Sequence, residues 1–257
     1  MEPDQSAPPS SARTALVTGG GRRIGRAIAL RLATAGWNVA IHCGHAVDEA
    51  EEVAREAGAR SVRTAVLPAD LADEGAVAAL VERAVSALGP IGLLVNNAST
   101  FDDDRFGGLD KAIWDRHFAV NLRAPMVLAE CFAAQAPAGA AIINLLDQRV
   151  LRPNPLFFSY ALTKSALWTA TQMMAQALAP AIRVNAVAPG PVLASCHQDD
   201  GQFEREATGT LLGRPSPPEQ IADAVLYLAN AMSVTGQVIA VDSGQHLGWR
   251  TPDMIDA

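Results

Sequence analysis

Residues 14–36 read TALVTGGGRRIGRAIALRLATAG, and this stretch decides the fold. It opens with a short apolar run that breaks at Gly19. Further glycines follow at Gly20, Gly21 and Gly25, and an amphipathic helical pattern then runs to Gly36. A buried strand that passes through a glycine-rich turn directly into a helix is typical of the first βα unit of a parallel α/β sheet. We therefore expect an α/β protein.

The rest of the chain repeats this alternation of apolar strand and amphipathic helix. The pattern predicts strands at 14–19, 37–43, 61–70, 91–99, 140–147, 182–190 and 236–242, and helices at 24–36, 47–58, 74–89, 109–135, 157–179 and 220–230. Continuous apolar strands separated by helices predict a single doubly wound parallel sheet (a Rossmann fold) with helices on both faces. We expect one domain over 13–250, a disordered tail over 1–12 and a mobile substrate lid or loop over 191–218.

Composition excludes several classes of protein. Of the 257 residues, 49% are apolar and 18% are charged, which allows a sizeable core. A net charge of −7 argues against nucleic acid or an anionic membrane as the main partner. The N-terminus lacks the pattern of a secretory signal, and no apolar run is long enough to span a bilayer. We expect a soluble, cytoplasmic protein.

The cysteines predict reduced thiols and no metal site. Cys43, Cys131 and Cys196 are odd in number and lack the spacing of metal ligands. His42 and His45 flank Cys43, but three residues so close on one strand end do not suit a single metal ion.

The glycine turn predicts a dinucleotide site. Glycines allow the backbone to approach a pyrophosphate, whose charge lies at the helix N-terminus. An NAD site usually has an acid at the end of the second strand, but residues 42–46 read HCGHA and the first acid, Asp48, belongs to the next helix. Arg22 and Arg23 supply cations for a 2′-phosphate. The sequence therefore favours NADPH over NADH.

A second informative stretch, residues 147–164, reads DQRVLRPNPLFFSYALTK. Tyr160 and Lys164 are four residues apart and share one face of a helix. The chain has only two lysines against eighteen arginines, so the lysine here is notable. A cation nearby favours the ionised phenol, and we expect it to bring the pKa of Tyr160 down towards the range of neutral proton transfer.

Several motifs in order resemble the short-chain dehydrogenase/reductase family over residues 13–245. They are TG-x-x-x-x-IG at 18–25, NNAS at 96–99, Asn121, the Tyr160–Lys164 pair and APG at 188–190. The resemblance implies that Tyr160 donates or accepts the proton. It also implies that Lys164 bonds the nicotinamide ribose and lowers the pKa of Tyr160, while Asn121 holds a water of the proton relay.

The resemblance also implies a set of cofactor contacts and a subunit interface. The terminal segment DSGQHL (242–247) is similar to the family's subunit-contact region, which implies a homotetramer. The implied NADPH-binding residues are Gly19, Arg22, Arg23, Ile24, Gly25, His45, Asp70, Leu71, Asn97, Ala98, Ser99, Lys164, Pro189 and Gly190.

Two departures from the common family pattern, together with one aromatic residue, resemble the pteridine reductase and dihydromonapterin reductase branch. Asp147 stands where the family usually has serine, Arg23 where it usually has glycine, and Phe101 where that branch stacks an aromatic ring on the pterin. One difference from the branch is His45, which replaces an expected arginine. The implied substrate residues are Phe101, Arg23, Asp147 and Tyr160, with Asp147, Tyr160, Lys164 and Asn121 as the catalytic set.

Asp147 changes which substrate can be reduced. A ketone oxygen needs a hydrogen-bond donor, whereas an ionised carboxylate only accepts. A pterin offers ring N–H and amino donors, and its imine nitrogen needs a proton when hydride reaches the carbon. We expect Asp147 to supply that proton, either when burial raises its pKa or by relaying a proton from Tyr160.

Other interpretations of these residues and of the whole chain stay open. Phe101 could pack under the lid, and Asp147 could form a structural ion pair with Arg149 or Arg152. At the level of the whole protein, the alternatives are a carbonyl or alcohol dehydrogenase and a non-catalytic sensor of NADPH.

Overall fold

The computed structural model describes residues 13–195 and 198–249, so the expected tail at 1–12 and Cys196 lie outside the described residues. Seven parallel strands form one sheet in the order β3-β2-β1-β4-β5-β6-β7. This confirms the predicted doubly wound sheet. The strands are β1 (Thr14–Val17), β2 (Asn38–Cys43), β3 (Thr64–Pro68), β4 (Leu93–Asn96), β5 (Ala140–Leu145), β6 (Ile182–Pro189) and β7 (Val238–Val241).

Helices cover both faces of this sheet. They are α1 (Arg23–Thr34), α2 (Val47–Gly58), α3 (Glu74–Leu88), α4 (Lys111–Phe118), α5 (Ala124–Ala133), α6 (Phe158–Leu178), α7 (Asp200–Thr208) and α8 (Pro218–Asn230). Alternate residues of each strand face opposite layers. Val17 packs in one buried cluster with Ile28 of α1 and Val225 of α8, while its neighbour Leu16 packs with Leu80 of α3 on the other face.

The order of the strands fixes where a ligand can bind. The chain runs outward from β1 through β2 to β3, then returns to place β4 on the other side of β1. Loops after β1 and β4 therefore leave in opposite directions and open a crevice at the carboxyl ends of these strands.

The predicted single helical region over 109–135 is wrong in one respect. A π-helical turn, Ala119–Arg123, separates α4 from α5. Pro125 has no N–H to donate to the carbonyl of Asn121, so the regular helical hydrogen-bond ladder cannot continue through this point. The wider turn contains Asn121, and such turns are frequent at functional sites.

The segment over 191–218 also differs from the expected loop, because it contains α7. The Asp199 carboxylate accepts from the backbone N–H of Gln202, and the Gln202 side chain accepts from the N–H of Asp199. This reciprocal capping box stabilises a short, polar helix that carries little apolar periodicity.

Membrane spans and metal clusters are both absent from the residues that the structure describes. Within the described ranges, no helix has both the length and the apolar character needed to cross a membrane. Over the same part of the chain, no cluster of His, Cys, Asp and Glu side chains has the arrangement of a metal site.

Candidate active site

The glycine turn between β1 and α1 is built from backbone contacts that exclude side chains. Gly19 has a φ of +62°, in the left-handed region. A Cβ on Gly25 would lie 2.0 Å from the carbonyl oxygen of Gly19. The Asn97 side chain donates to the carbonyls of Thr18 and Gly19 at 2.8 and 3.2 Å. The turn is therefore tied to the end of β4, across the crevice.

His42, at the carboxyl end of β2, supports the same turn and was not predicted as a site residue. Its Nδ1 accepts from the backbone N–H of Gly19 at 3.0 Å, and its Nε2 lies 3.1 Å from the carbonyl of Ala69. Accepting at one nitrogen while donating at the other requires the neutral imidazole. Burial lowers the pKa of His42. The sequence signal for this residue is its position at the end of the second strand, beside the place where an NAD site has its acid.

A cavity of about 380 Å³ opens beside the turn and collects most of the predicted cofactor residues. Residues that were not predicted also line it, among them His42 and Arg116. Three predicted cofactor residues, Lys164, Pro189 and Gly190, are not among its lining residues. The predicted members that line it are Gly19, Arg22, Arg23, Ile24, Gly25, His45, Asp70, Leu71, Asn97, Ala98 and Ser99.

The two arginines of the turn have different partners. Arg22 is exposed and forms an ion pair with Glu49 of α2. Arg23 donates to the backbone carbonyls of Leu193 and Ala194, at 2.9 and 2.8 Å, and so ties the turn to the segment after β6. Arg23 adopts a φ of 50°, a conformation that glycine adopts more readily, at the position where the family usually has glycine.

A second cavity, of about 650 Å³, adjoins the first and contains the predicted substrate residues. Arg23 lines both cavities. Pro189 and Gly190 line this second cavity, together with Phe101, Asp147 and Tyr160. Unpredicted members include Arg149, Phe157, Leu193, Phe203 and Glu206.

Asp147 lies at the centre of a hydrogen-bond network in the second cavity. Its Oδ2 accepts from the Tyr160 hydroxyl at 3.0 Å and from Arg149 Nη1 at 3.0 Å. Its Oδ1 accepts from the backbone N–H of Arg149 at 2.8 Å. The bond to Tyr160 and the ion pair with Arg149 therefore coexist, whereas Arg152 donates instead to the carbonyl of Gln245.

The expected fall in the pKa of Tyr160 is wrong for this arrangement. Burial of the phenol and the nearby Asp147 carboxylate raise the pKa of Tyr160 well above its ordinary value, and the opposing effect of Arg149 is smaller. Lys164 Nζ lies 5.6 Å from the centre of the Tyr160 ring and donates to the carbonyl of Leu145 at 2.8 Å. Burial lowers the pKa of Lys164 to about 8, which weakens it as a permanent cation.

Asn121 is buried beside the loop that follows β4. Its Oδ1 accepts from the backbone N–H of Thr100 at 2.8 Å and from the Ser99 hydroxyl at 3.1 Å. Its Nδ2 donates to the carbonyl of Thr100 at 3.0 Å. Asn121 thus fixes the loop between the two cavities, and its role in holding a relay water stays a prediction.

The start of α6 is held by buried polar groups that the sequence did not reveal. The Asp104 carboxylate accepts from the backbone N–H of Ser159 at 3.0 Å, and the Ser159 hydroxyl lies 2.6 Å from His117 Nδ1. His117 Nε2 also accepts from the backbone N–H of Asp102 at 3.1 Å. These contacts fix the helix turn that carries Tyr160.

Phe101 has an aromatic partner already. Its ring stacks on Phe157 with centroids 4.0 Å apart and meets the edge of Tyr160 at 4.7 Å. Phe101 therefore lines the second cavity and packs against two residues outside the 191–218 segment, so its packing under the lid stays a prediction.

Known proteins resemble this chain over nearly its whole length. A family model described as enoyl-(acyl carrier protein) reductase matches residues 20–246. The 3-oxoacyl-[acyl-carrier-protein] reductase FabG of Staphylococcus aureus (strain Mu50 / ATCC 700699) is 34% identical over 245 residues, which cover 91% of this chain and 98% of that protein. A short-chain type dehydrogenase/reductase of Picea abies is 34% identical, with coverage of 91% and 92%.

A solved structure extends this similarity to the whole fold. FolM alternative dihydrofolate reductase 1 from Brucella canis, crystallised in complex with NADP, is 48% identical with a TM-score of 0.91, and the match covers 96% of this chain and 100% of that one. The matched family model, the curated relatives and the shared fold agree with the ordered motifs. The chain therefore belongs to the short-chain dehydrogenase/reductase family of oxidoreductases.

Proposed function

We propose that the protein is an NADPH-dependent reductase of a dihydropterin-like heterocycle. The observation that carries the proposal is the Asp147 carboxylate, which occupies the usual serine position and accepts a hydrogen bond from Tyr160 at 3.0 Å. The surrounding cavity is also lined by Phe101 and Phe157. The similarity to FolM of Brucella canis supports this choice of substrate class.

The first cavity fits the phosphorylated cofactor. Gly19 and Gly25 leave room for a pyrophosphate at the start of α1, and no acid at the end of β2 opposes a 2′-phosphate. Arg22 is exposed at the rim and can exchange Glu49 for that phosphate. Bound there, NADPH supplies the hydride.

The residues of the second cavity supply recognition and the proton. A carboxylate accepts hydrogen bonds from the ring N–H and amino groups of a pterin. Tyr160 carries the proton that the substrate nitrogen takes up, and its hydroxyl is oriented by Asp147. The raised pKa of Tyr160 keeps the phenol protonated before substrate arrives.

Carbonyl reduction is the second candidate, because FabG enzymes are among the curated relatives. Its difficulty is the hydrogen-bond donor that a carbonyl oxygen needs, since Asp147 replaces the usual serine hydroxyl with a carboxylate that only accepts. A non-catalytic sensor of NADPH is the third, but a sensor does not need an intact Asn121, Tyr160 and Lys164 set.

Substrate-dependent oxidation of NADPH separates these functions. The purified protein is mixed with NADPH and with dihydrobiopterin, dihydrofolate or a panel of ketones, and absorbance at 340 nm is followed. Turnover of pterins alone supports the proposal, and turnover of ketones alone supports carbonyl reduction. Tight NADPH binding without turnover of either class supports the sensor.

Asp147→Ser tests the residue that carries the proposal. We expect at least a roughly 100-fold loss of pterin kcat/KM, because the substrate donors lose their charged acceptor. Removal of the carboxylate also lowers the pKa of Tyr160. With only two tyrosines in the chain, absorbance near 295 nm should show the second phenolate forming at lower pH in the variant than in the wild type. Unchanged pterin turnover would contradict the assignment of Asp147.

We further propose a cytoplasmic homotetramer, as the family resemblance implies. Leu247, the last residue of the 242–247 segment, and Trp249 shortly after it are exposed apolar side chains, which supports a contact between subunits there. Light scattering of the purified protein measures the mass directly.

A further inference from the structure

Arg149 is a largely buried cation on the floor of the substrate cavity. Its side chain is 15% exposed, and it bonds Asp147 through both its guanidinium and its own backbone N–H. Its guanidinium carbon lies 5.6 Å from the centres of both the Phe101 and Phe157 rings. The cation is therefore held by a carboxylate and by two aromatic faces.

The charge of Arg149 is stabilised by its surroundings. Burial disfavours the charged guanidinium, but Asp147, Tyr160 and Glu206 together outweigh burial and raise the pKa of Arg149. Glu206 is itself bonded by the side-chain amides of Gln198 and Gln245 at 2.7 and 3.0 Å. Arg149 thus stays cationic over the whole pH range in which the folded enzyme is active.

The contacts leave a defined acceptor for a ligand. A carboxylate offers about four acceptor positions. Among the described residues, Asp147 accepts three bonds, two from Arg149 and one from Tyr160. Asp147 lines the second cavity, so its remaining acceptor position is open to an N–H donor of a ligand.

We propose that Arg149 is the positioning residue that sets substrate specificity, by holding the Asp147 carboxylate in place so that its remaining acceptor position selects N–H donors over carbonyl oxygens. The inference rests on the proposed function, since Asp147 is the group through which Arg149 acts. Without the guanidinium, the carboxylate keeps only the bonds from Tyr160 and from the backbone N–H of residue 149, so it is free to turn away from the substrate.

The test compares Arg149→Gln and Arg149→Lys with Arg152→Gln. Arg152 is an exposed arginine three residues away that bonds a backbone carbonyl of the 245–247 turn, so it controls for the loss of a nearby positive charge. Steady-state kcat and KM are measured at pH 7 with dihydrobiopterin and with a ketone, and NADPH binding is followed by fluorescence.

We expect Arg149→Gln to lower pterin kcat/KM at least about 10-fold at pH 7, mainly through KM, because a hydrogen bond between charged groups contributes about 1.5–3 kcal/mol. Ketone turnover should rise relative to pterin turnover, because Arg149 supports only the binding of N–H donors. Arg149→Lys, which retains a cationic donor for Asp147, should recover most of the lost affinity for the pterin. Arg152→Gln should match the wild type.

Three outcomes decide between these interpretations. If Arg149→Gln keeps the wild-type KM for dihydrobiopterin, Arg149 does not set specificity and the inference is overturned while the proposed function stands. If the wild type itself does not reduce pterins, the proposed function fails and the inference fails with it. If Arg149→Gln no longer binds NADPH because it is misfolded, Arg149→Lys decides, and a lowered kcat without any rise in KM in that variant overturns the inference.

Discussion

The two cavities of this protein are built in different ways. The first cavity, which we propose binds the cofactor, is shaped by backbone, since Gly19 and Gly25 bring main chain against main chain and His42 and Asn97 brace the turn with hydrogen bonds. The second cavity, which we propose binds the substrate, is shaped by side chains, most clearly Asp147 with its partners. A backbone-built site tolerates almost no change of size, whereas a site built from side chains can change its chemistry one residue at a time.

Two arginine–carboxylate pairs show the same contrast in their electrostatics. Arg22 and Glu49 are 60% and 45% exposed, so their attraction is screened and easily exchanged for a phosphate. Arg149 and Asp147 are only 15% and 16% exposed, so loss of either partner leaves a poorly solvated charge. The first pair is the one that we propose opens for a ligand, and the second holds in place the carboxylate that we propose is catalytic.

The largest expected effect on NADPH binding comes from a substitution in the glycine turn between β1 and α1. Gly25→Ala places a Cβ against the Gly19 carbonyl, and overpacking costs roughly 1–3 kcal/mol even where neighbours can shift. We expect NADPH affinity to fall about 10- to 100-fold by fluorescence titration. Gly44→Ala is the matched control, because Gly44 lines the same cavity with open space around its Cβ position. Equal affinities for the two variants would contradict the backbone-built description.

A smaller effect on NADPH binding is expected from a substitution in the exposed Arg22–Glu49 ion pair. Arg22→Gln should weaken NADPH binding about 10-fold and NADH binding much less, because a charged hydrogen bond to the 2′-phosphate is lost. Arg26→Gln is the matched control, since Arg26 forms a comparable exposed pair with Glu56 but does not line the cavity. Equal losses for both cofactors on substitution of Arg22 would show that its partner is not the 2′-phosphate.

Periodicity and motif order were enough to predict the backbone-built part of the molecule. The strand and glycine patterns indicated the sheet, the turn and most residues of the first cavity, because these depend on local backbone requirements. The partners of Asp147 needed the fold, since both Arg149 and Arg152 were within sequence reach and only the turn after β5 decides between them. The four-residue spacing of Tyr160 and Lys164 placed both on α6, but the pKa of Tyr160 depends on burial that spacing does not reveal.

The smallest expected effect is on the pH dependence of folding stability, through the neutral His42 that supports the glycine turn. Because burial lowers its pKa in the folded protein, the unfolded chain binds a proton more readily, and stability should fall as pH drops below the ordinary histidine value of about 6.5. Asp70 raises and Arg83 lowers the same pKa, with smaller effects than burial. His42→Asn keeps an acceptor for the Gly19 N–H without titrating, at the loss of the bond to Ala69.

Urea unfolding of the wild type and His42→Asn at pH 7.5 and 5.5 isolates this contribution, because effects of the other histidines cancel in the difference between the two proteins. The wild type should be the more stable at pH 7.5, and its advantage should shrink at pH 5.5 as only its own unfolded state gains a proton at this position. If the stability advantage of the wild type over His42→Asn is the same at both pH values, His42 is not held neutral in the folded protein. The backbone-built turn would then need a support other than the Nδ1 acceptor, since a protonated imidazole has no lone pair to offer Gly19.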